Sequence, residues 1–133
     1  MSAKKHVSMK FSMPFKGKGI TDRGNIIEID EGEKYAEPYD LLLMALGSCL
    51  YSTFEDIITK KKLSYEMFEM DITGEKRTET PTTLKYCNII FKAKTAESNK
   101  KAFEKSMELA CKYCSIYNTL SYVAEMHSEM VFS

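Results

Sequence analysis

The chain has 133 residues, of which 44% are hydrophobic and 29% are charged. Its 19 basic and 19 acidic side chains leave no net charge, which excludes nucleic-acid binding through an uncompensated basic surface. A chain of this length can bury a core without disulfides or metals, so we expect a single domain over residues 1–133.

The start of the chain alternates lysine, serine and glycine with single apolar residues. This pattern is not that of a signal peptide, and no uninterrupted apolar run reaches the roughly 18–20 residues of a membrane span. We therefore expect a cytoplasmic protein that does not enter a membrane and whose thiols stay reduced. Its four cysteines are interpreted first as buried, catalytic or metal-binding residues rather than as structural disulfides.

Two strands are predicted near the N-terminus, at residues 10–15 and 25–30, because short apolar-rich runs there are bounded by turn residues. These turn residues are Pro14, Gly17, Gly19, Gly24 and Gly32.

A long helix is predicted over residues 39–62, directly after Pro38, because proline favours the first turn of a helix. One face at helical spacing is formed by Leu42, Ala45, Leu46, Cys49, Thr53 and Asp56. Apolar residues also occur on other sides of the first four turns, which favours burial on both sides of the helix.

The remaining elements are strands at 66–74 and 84–94 joined by a hairpin connection, a helix over 98–112, a short helical piece near 117–122 and a strand at 124–132. Ser98 is the expected N-cap of the second helix. Strands grouped apart from helices predict an α+β fold with mainly antiparallel sheet.

Cys49 lies inside the long helix beside Gly47 and Ser48. Glycine costs about 1 kcal/mol relative to alanine in a helix interior, so we expect another group to pack closely here. From this segment alone, an ordinary core cysteine is the stronger interpretation.

Cys111 and Cys114 form a Cys-x-x-Cys pair, which is typical of a thioredoxin-like redox site or of half a zinc site. The pair follows a helix rather than a strand, and neither His6 nor His127 lies at a ligand-like spacing. Zinc binding is therefore the weaker alternative, and no metal or other cofactor is predicted.

Residues 37–49, EPYDLLLMALGSC, resemble the signature Pro-x-(Glu/Asp)-Leu-Leu-x-x-Ala-Leu-Gly-x-Cys of the OsmC/Ohr family, named for osmotically induced protein C and organic hydroperoxide resistance protein. Residues 114–120, CSIYNTL, resemble its second signature, Cys-Pro-Val-x-x-Thr-Leu, with serine in the proline position. The order of predicted elements also resembles the family's from about residue 8 onward. The resemblance implies an OsmC-like α+β fold that forms an intertwined homodimer.

The resemblance further implies a thiol-dependent peroxidase. Cys49 would attack a small hydrophobic peroxide, Cys114 would resolve the resulting sulfenic acid, and a dithiol would reduce the disulfide. Because a mid-helix thiol gains little from its own helix dipole, we expect a nearby cation to lower its pKa. The implied cation is Arg23 of the N-terminal hairpin, with a solvated turn residue as the alternative interpretation.

Two departures from the family pattern concern the groups around this arginine. Tyr39 follows Pro38 where active members have a glutamate, and the hairpin reads Asp22-Arg23-Gly24 rather than Arg-Asp-Gly. These departures favour a divergent OsmC-like branch. They leave open a second function, that of a dimeric binding or redox-sensing protein with weak or no peroxidase activity.

Nearby side chains offer partial substitutes for the missing groups. Glu37 and Asp40 are the nearest carboxylates, although Asp40 points about 180° from Cys49 around a helix. Arg77 is the other arginine.

The remaining cysteines, Cys87 and Cys111, are interpreted as packing residues. A disulfide-shuffling role for Cys111 is the alternative.

Overall fold

The structure, a computed structural model, describes residues 3–133. It comprises two compact units, Met1–Leu42 and Leu43–Ser133. The single domain expected over 1–133 stays a prediction.

The first unit contains an antiparallel sheet of three strands, β1 (Val7–Ser12), β2 (Lys16–Thr21) and β3 (Ile26–Ile29), in that spatial order. The prediction of two strands was wrong because Gly17 and Gly19 were interpreted as turn residues. They lie within β2, opposite Phe11 and Met9 of β1. A Cβ atom at Gly17 would lie 2.8 Å from the Phe11 ring, so glycine makes room for the larger side chain on the neighbouring strand.

Asp30 closes the loop that follows β3. Its carboxylate accepts backbone N–H bonds of 2.8 to 3.2 Å from the four consecutive residues 32–35. Burial alone raises the pKa of Asp30, but these four hydrogen bonds outweigh it, and the pKa is lowered.

The long helix α1 (Pro38–Lys60) was predicted within two residues at each end. A reciprocal capping box begins it: the Glu37 N–H donates to Asp40 Oδ2 at 3.1 Å, and the Asp40 N–H donates to Glu37 Oε1 at 3.0 Å. The two carboxylates that the sequence offered as substitutes for a missing glutamate therefore cap the helix.

The second unit contains the sheet β4 (Met67–Lys76), β5 (Leu84–Lys94) and β6 (Glu125–Phe132). The β4 and β5 strands pair antiparallel, whereas β5 and β6 pair parallel. Three of the four strand pairings in residues 3–133 are antiparallel, which confirms the mainly antiparallel prediction. Parallel pairing requires a crossover connection, and helices provide it here.

The crossover consists of a 3₁₀ turn (Glu97–Asn99) and two helices, α2 (Lys100–Tyr113) and α3 (Ser115–Ser121). The prediction of Ser98 as N-cap was wrong, because Ser98 lies inside the 3₁₀ turn and Asn99 caps α2 without a side-chain hydrogen bond. Cys114 is the single residue between the two helices.

An aromatic cluster forms the core of the second unit. The ring of Phe54 on α1 lies 5.1, 5.5 and 5.6 Å from those of Phe68, Phe91 and Phe103. The buried face of α1 consists of Leu46, Gly47, Leu50, Phe54 and Ile58. The predicted face shares only Leu46 with it, so Cys49 lies beside the core and is half-exposed.

Gly47 is where α1 approaches the sheet most tightly, since a Cβ atom there would lie 2.7 Å from Ile72 Cδ1 of β4. The close packing expected beside Cys49 is thus present.

Among residues 3–133, α1 is the one helix long and apolar enough, by length and composition only, to cross a membrane. Its buried face packs in the core of the second unit, which is the arrangement of a core helix.

Candidate active site at the α2–α3 junction

The structure brings Cys49 and Cys114 together. Cys49 on α1 faces the start of α3, where its Sγ atom lies 3.8 Å from the hydroxyl oxygen of Ser115. Cys114 is fully buried between α2 and α3, and its thiol is hydrogen-bonded to Cys49. Both cysteines are free thiols, so a reduced dithiol pair occupies this junction.

Hydrogen bonds favour the thiolate form of Cys49. Burial by itself raises the pKa of this thiol, but donors at the α2–α3 junction outweigh burial and lower it. These donors are the backbone N–H of Ile116, the Cys114 thiol, and the hydroxyl and N–H of Ser115. They all belong to residues 114–116, so hydrogen bonds from this junction lower the pKa of Cys49, and the cation expected from the sequence stays a prediction.

Cys114 has the opposite tendency. Burial raises its pKa, the N–H groups of Tyr117 and Ile116 oppose this, and the hydrogen bond and charge of Cys49 add to it. Together these causes raise the pKa of Cys114 to about 11. When the pair loses one proton, the negative charge therefore belongs to Cys49, and Cys114 keeps its proton. A thiolate that is half-exposed beside a protonated, buried thiol is suited to attack first and be resolved second.

Asn118 fixes the position of Cys114. Its Nδ2 donates to the carbonyl oxygens of Cys111, Lys112 and Cys114 at 3.3, 3.0 and 2.7 Å. The Cys114 Sγ also caps α3 by accepting the Tyr117 N–H at 3.5 Å. The side chain of one residue thus joins the end of α2 to the start of α3.

Cys111 and Cys87 are buried on the sheet side of the helices. Burial raises the pKa of both thiols, and Cys111 Sγ donates to Ser128 Oγ at 3.5 Å. The hydroxyl of the half-buried Tyr117 forms a hydrogen bond with the same Cys111. Burial, and to a smaller extent Cys111, raises the pKa of Tyr117 to about 12. These contacts agree with the packing interpretation of both cysteines.

The two arginines occupy turns. Arg23 is exposed in the connection between β2 and β3 of the first unit, and its predicted role at Cys49 stays a prediction. Arg77 follows β4, and its Nε donates to the Pro81 carbonyl at 2.8 Å, which holds the β4–β5 connection.

Across residues 3–133, no cluster of three or more His, Cys, Asp or Glu side chains is arranged to hold a metal ion. Sequence reasoning missed Ser115 and Asn118. The serine in the proline position of the second signature was the signal for Ser115, while Asn118 shows its role only through contacts with the α2–α3 junction.

A family model described as OsmC-like protein matches residues 31–127 of this chain. The chain belongs to the OsmC-like protein family. Protein YhfA of Escherichia coli strain K12 is 25% identical over 105 residues, which are 78% of each chain.

Two solved structures show the same fold. An OsmC-like protein from Mycoplasma pneumoniae has a TM-score of 0.84 at 21% identity, with 99% of each chain covered. The organic hydroperoxide resistance protein OhrB of Bacillus subtilis has a TM-score of 0.67 at 13% identity, with 96% of this chain and 98% of that chain covered. The OsmC/Ohr membership and the OsmC-like α+β fold expected from the sequence are thus confirmed.

Proposed function

We propose that this OsmC-like protein is a thiol-dependent peroxidase that reduces organic hydroperoxides through Cys49 and Cys114. The observation that carries the proposal is the hydrogen-bonded pair itself, with a lowered pKa on the half-exposed Cys49 and a raised pKa on the buried Cys114. The fold shared with proteins named for organic hydroperoxide resistance supports the same chemistry.

The first step is oxidation of Cys49. The Cys49 thiolate attacks the outer oxygen of the peroxide, the O–O bond breaks, and the alkoxide leaves as the alcohol after taking a proton from water. Cys49 becomes a sulfenic acid, oxidised by two electrons, and the peroxide is reduced by two.

The second step forms a disulfide. The Cys114 sulfur attacks the Cys49 sulfur, and the Cys114 proton leaves with the sulfenic hydroxyl as water. An external dithiol then reduces the disulfide by two exchange steps and is itself oxidised to a disulfide. The cycle uses thiols and peroxide only, so the proposal includes no cofactor.

Access distinguishes the two thiols. A small hydrophobic peroxide is the proposed substrate of half-exposed Cys49, whereas Cys114 has no exposed surface. Arg23 is kept in the proposal as a cation that adds to the hydrogen bonds on the thiolate.

We also propose a homodimer. Val7, Met9 and Phe11 alternate along one face of β1, and Ile27 lies in the row that contains Met9 and Gly19. These four apolar side chains are 42% to 63% exposed. A second copy of the chain that covers this face would remove the apolar surface from water. Light scattering coupled to size-exclusion chromatography measures the mass, and a monomer at all concentrations would contradict this part.

A second candidate is a dimeric binding or redox-sensing protein. The observation that favours it is Tyr39, which takes the place of the glutamate of active members in the first signature. A sensor of this kind would oxidise once per stimulus and would not turn over with a dithiol.

A peroxide consumption assay with a dithiol reductant decides between the candidates. We expect Cys49→Ser to abolish turnover and Cys114→Ser to leave one stoichiometric oxidation without turnover. Cys111→Ser is the matched control, because a hydroxyl there can still donate to Ser128. Undiminished turnover in Cys49→Ser would overturn the peroxidase proposal. A parent protein that shows no turnover would favour the redox sensor.

A further inference from the structure

Ser115 is the residue with the most donors on the Cys49 sulfur. Its hydroxyl oxygen lies 3.8 Å from Cys49 Sγ, and a hydrogen bond from its backbone N–H also lowers the pKa of that thiol. Cys114 and Ile116, on either side, contribute one donor each. Hydrogen bonds to a charged acceptor are stronger than neutral ones and need no charge on the donor.

The backbone at this point would also suit a residue without any donor. Ser115 is the first residue of α3, where proline is tolerated because its missing N–H has no helical partner. The preceding residue, Cys114, has φ −68° and ψ 121°, which lies in the region that a residue before proline adopts. Folding therefore does not require serine here. The second signature has proline at this position, whereas this chain has a residue with two donors.

We propose that Ser115 is a catalytic residue, which keeps the Cys49 sulfur reactive by donating hydrogen bonds to it from the start of α3. The inference rests on the proposed function in taking Cys49 as the attacking thiol. It goes beyond that function because it assigns part of the activation to a hydroxyl and an N–H of the second unit, beside the cation proposed there.

Few titratable groups compete for this effect. Cys114 is the one that faces Cys49 from the α2–α3 junction. The positions one turn from Cys49 on α1 do not titrate; they are Ala45, Leu46, Ser52 and Thr53. On β4, the aliphatic Ile72 packs against Gly47 in this part of α1.

The test is the pH dependence of Cys49 alkylation by iodoacetamide, followed by mass spectrometry of the peptide that contains Cys49. In Ser115→Ala, which loses only the hydroxyl, we expect the rate at pH 7 to fall about tenfold and the midpoint of the pH profile to move up. In Ser115→Pro, which loses both donors, the alkylation rate should fall further. Ser115→Thr keeps both and should restore the parent profile.

Ser121→Ala, at the other end of α3, is the matched control and should leave the profile unchanged. Thermal melts of all variants check that each one folds. If Ser115→Ala loosens the start of α3, Ser115→Pro still tests the inference, because proline favours the first turn of a helix. Profiles of Ser115→Ala and Ser115→Pro that superimpose on the parent would overturn the inference.

Alkylation requires no turnover, so the two proposals fail separately. If the parent consumes no peroxide but the Ser115 variants lose alkylation rate, the peroxidase proposal falls and the role of Ser115 stands. If turnover depends on Cys49 but the Ser115 variants match the parent, the peroxidase proposal stands and the role of Ser115 falls.

Discussion

The two units of the chain differ in how they are held together. In Leu43–Ser133, the rings of Phe54, Phe91 and Phe103 are fully buried, and Phe54 contacts the other two. In Met1–Leu42, of which residues 3–42 are described, only Ile29 and Asp30 are buried. The first unit therefore depends on strand pairing and loop hydrogen bonds, whereas the second has an apolar core of its own.

This difference explains where the proposed redox pair, Cys49 and Cys114, lies. A sulfur that must meet a second sulfur needs a fixed geometry, and packed cores provide it. Cys49 is placed beside the core by Leu46 and Leu50 on its own helix, and Cys114 is buried. The exposed apolar face of the first unit is the surface proposed above to pair with a second copy.

The largest expected effect tests the core of the second unit. Phe54→Ala removes a fully buried ring and leaves a cavity, which should cost about 3–5 kcal/mol in the free energy of unfolding. Urea denaturation at one protein concentration measures it. The matched change Phe11→Ala in the first unit should instead weaken dimer formation, measured by sedimentation equilibrium. Equal losses of unfolding free energy in monomeric protein would contradict the comparison.

A smaller effect tests the loop of the first unit. Asp30→Ala leaves the four N–H groups of residues 32–35 without their acceptor and should lower the free energy of unfolding by less than Phe54→Ala does. Amide hydrogen exchange at residues 32–35 should accelerate. Asp22→Ala, which removes an exposed carboxylate bonded to His6, should leave these amides unchanged.

The contribution of Asp30 depends on pH in a defined direction. Because the folded pKa of Asp30 is lowered, its stabilisation is present above the unfolded pKa of about 4 and is lost as pH falls through the folded value. The parent and Asp30→Ala proteins should therefore converge in acid. A difference that grows on acidification would contradict this assignment.

The smallest expected effect concerns the start of α1. Asp40→Ala breaks one half of the capping box and should cost about 1 kcal/mol, whereas Asp40→Asn keeps an acceptor and should cost less. Thermal denaturation of the two variants compares them. Equal costs would show that the charge of Asp40, rather than its hydrogen bond to Glu37, stabilises the helix.

Elements with a distinct pattern could be predicted from the sequence. The strand at 84–94 was predicted to the residue because buried and exposed side chains alternate along most of it. The β2 strand was missed because Gly17 and Gly19 have no side chains that could show an alternating pattern. The side chains that these glycines accommodate, Phe11 and Met9, lie opposite them on β1.

The candidate site was predictable only in part. The resemblance pointed to Cys49 and Cys114, which the structure brings into contact. The donors around them could not be predicted, because they depend on the break between α2 and α3 at Cys114, where the extended backbone directs the N–H groups of residues 115 and 116 toward α1. No residue pattern in α1 itself indicates that break.

The most direct test of the central claim is disulfide mapping after one equivalent of an organic hydroperoxide is added to the reduced protein. Peptide mass spectrometry should find a Cys49–Cys114 disulfide, with Cys87 and Cys111 still alkylated as free thiols. Cys114→Ser protein should instead carry a sulfenic acid on Cys49, trapped by dimedone. An unmodified Cys49, or a first disulfide between Cys111 and Cys114, would contradict the account.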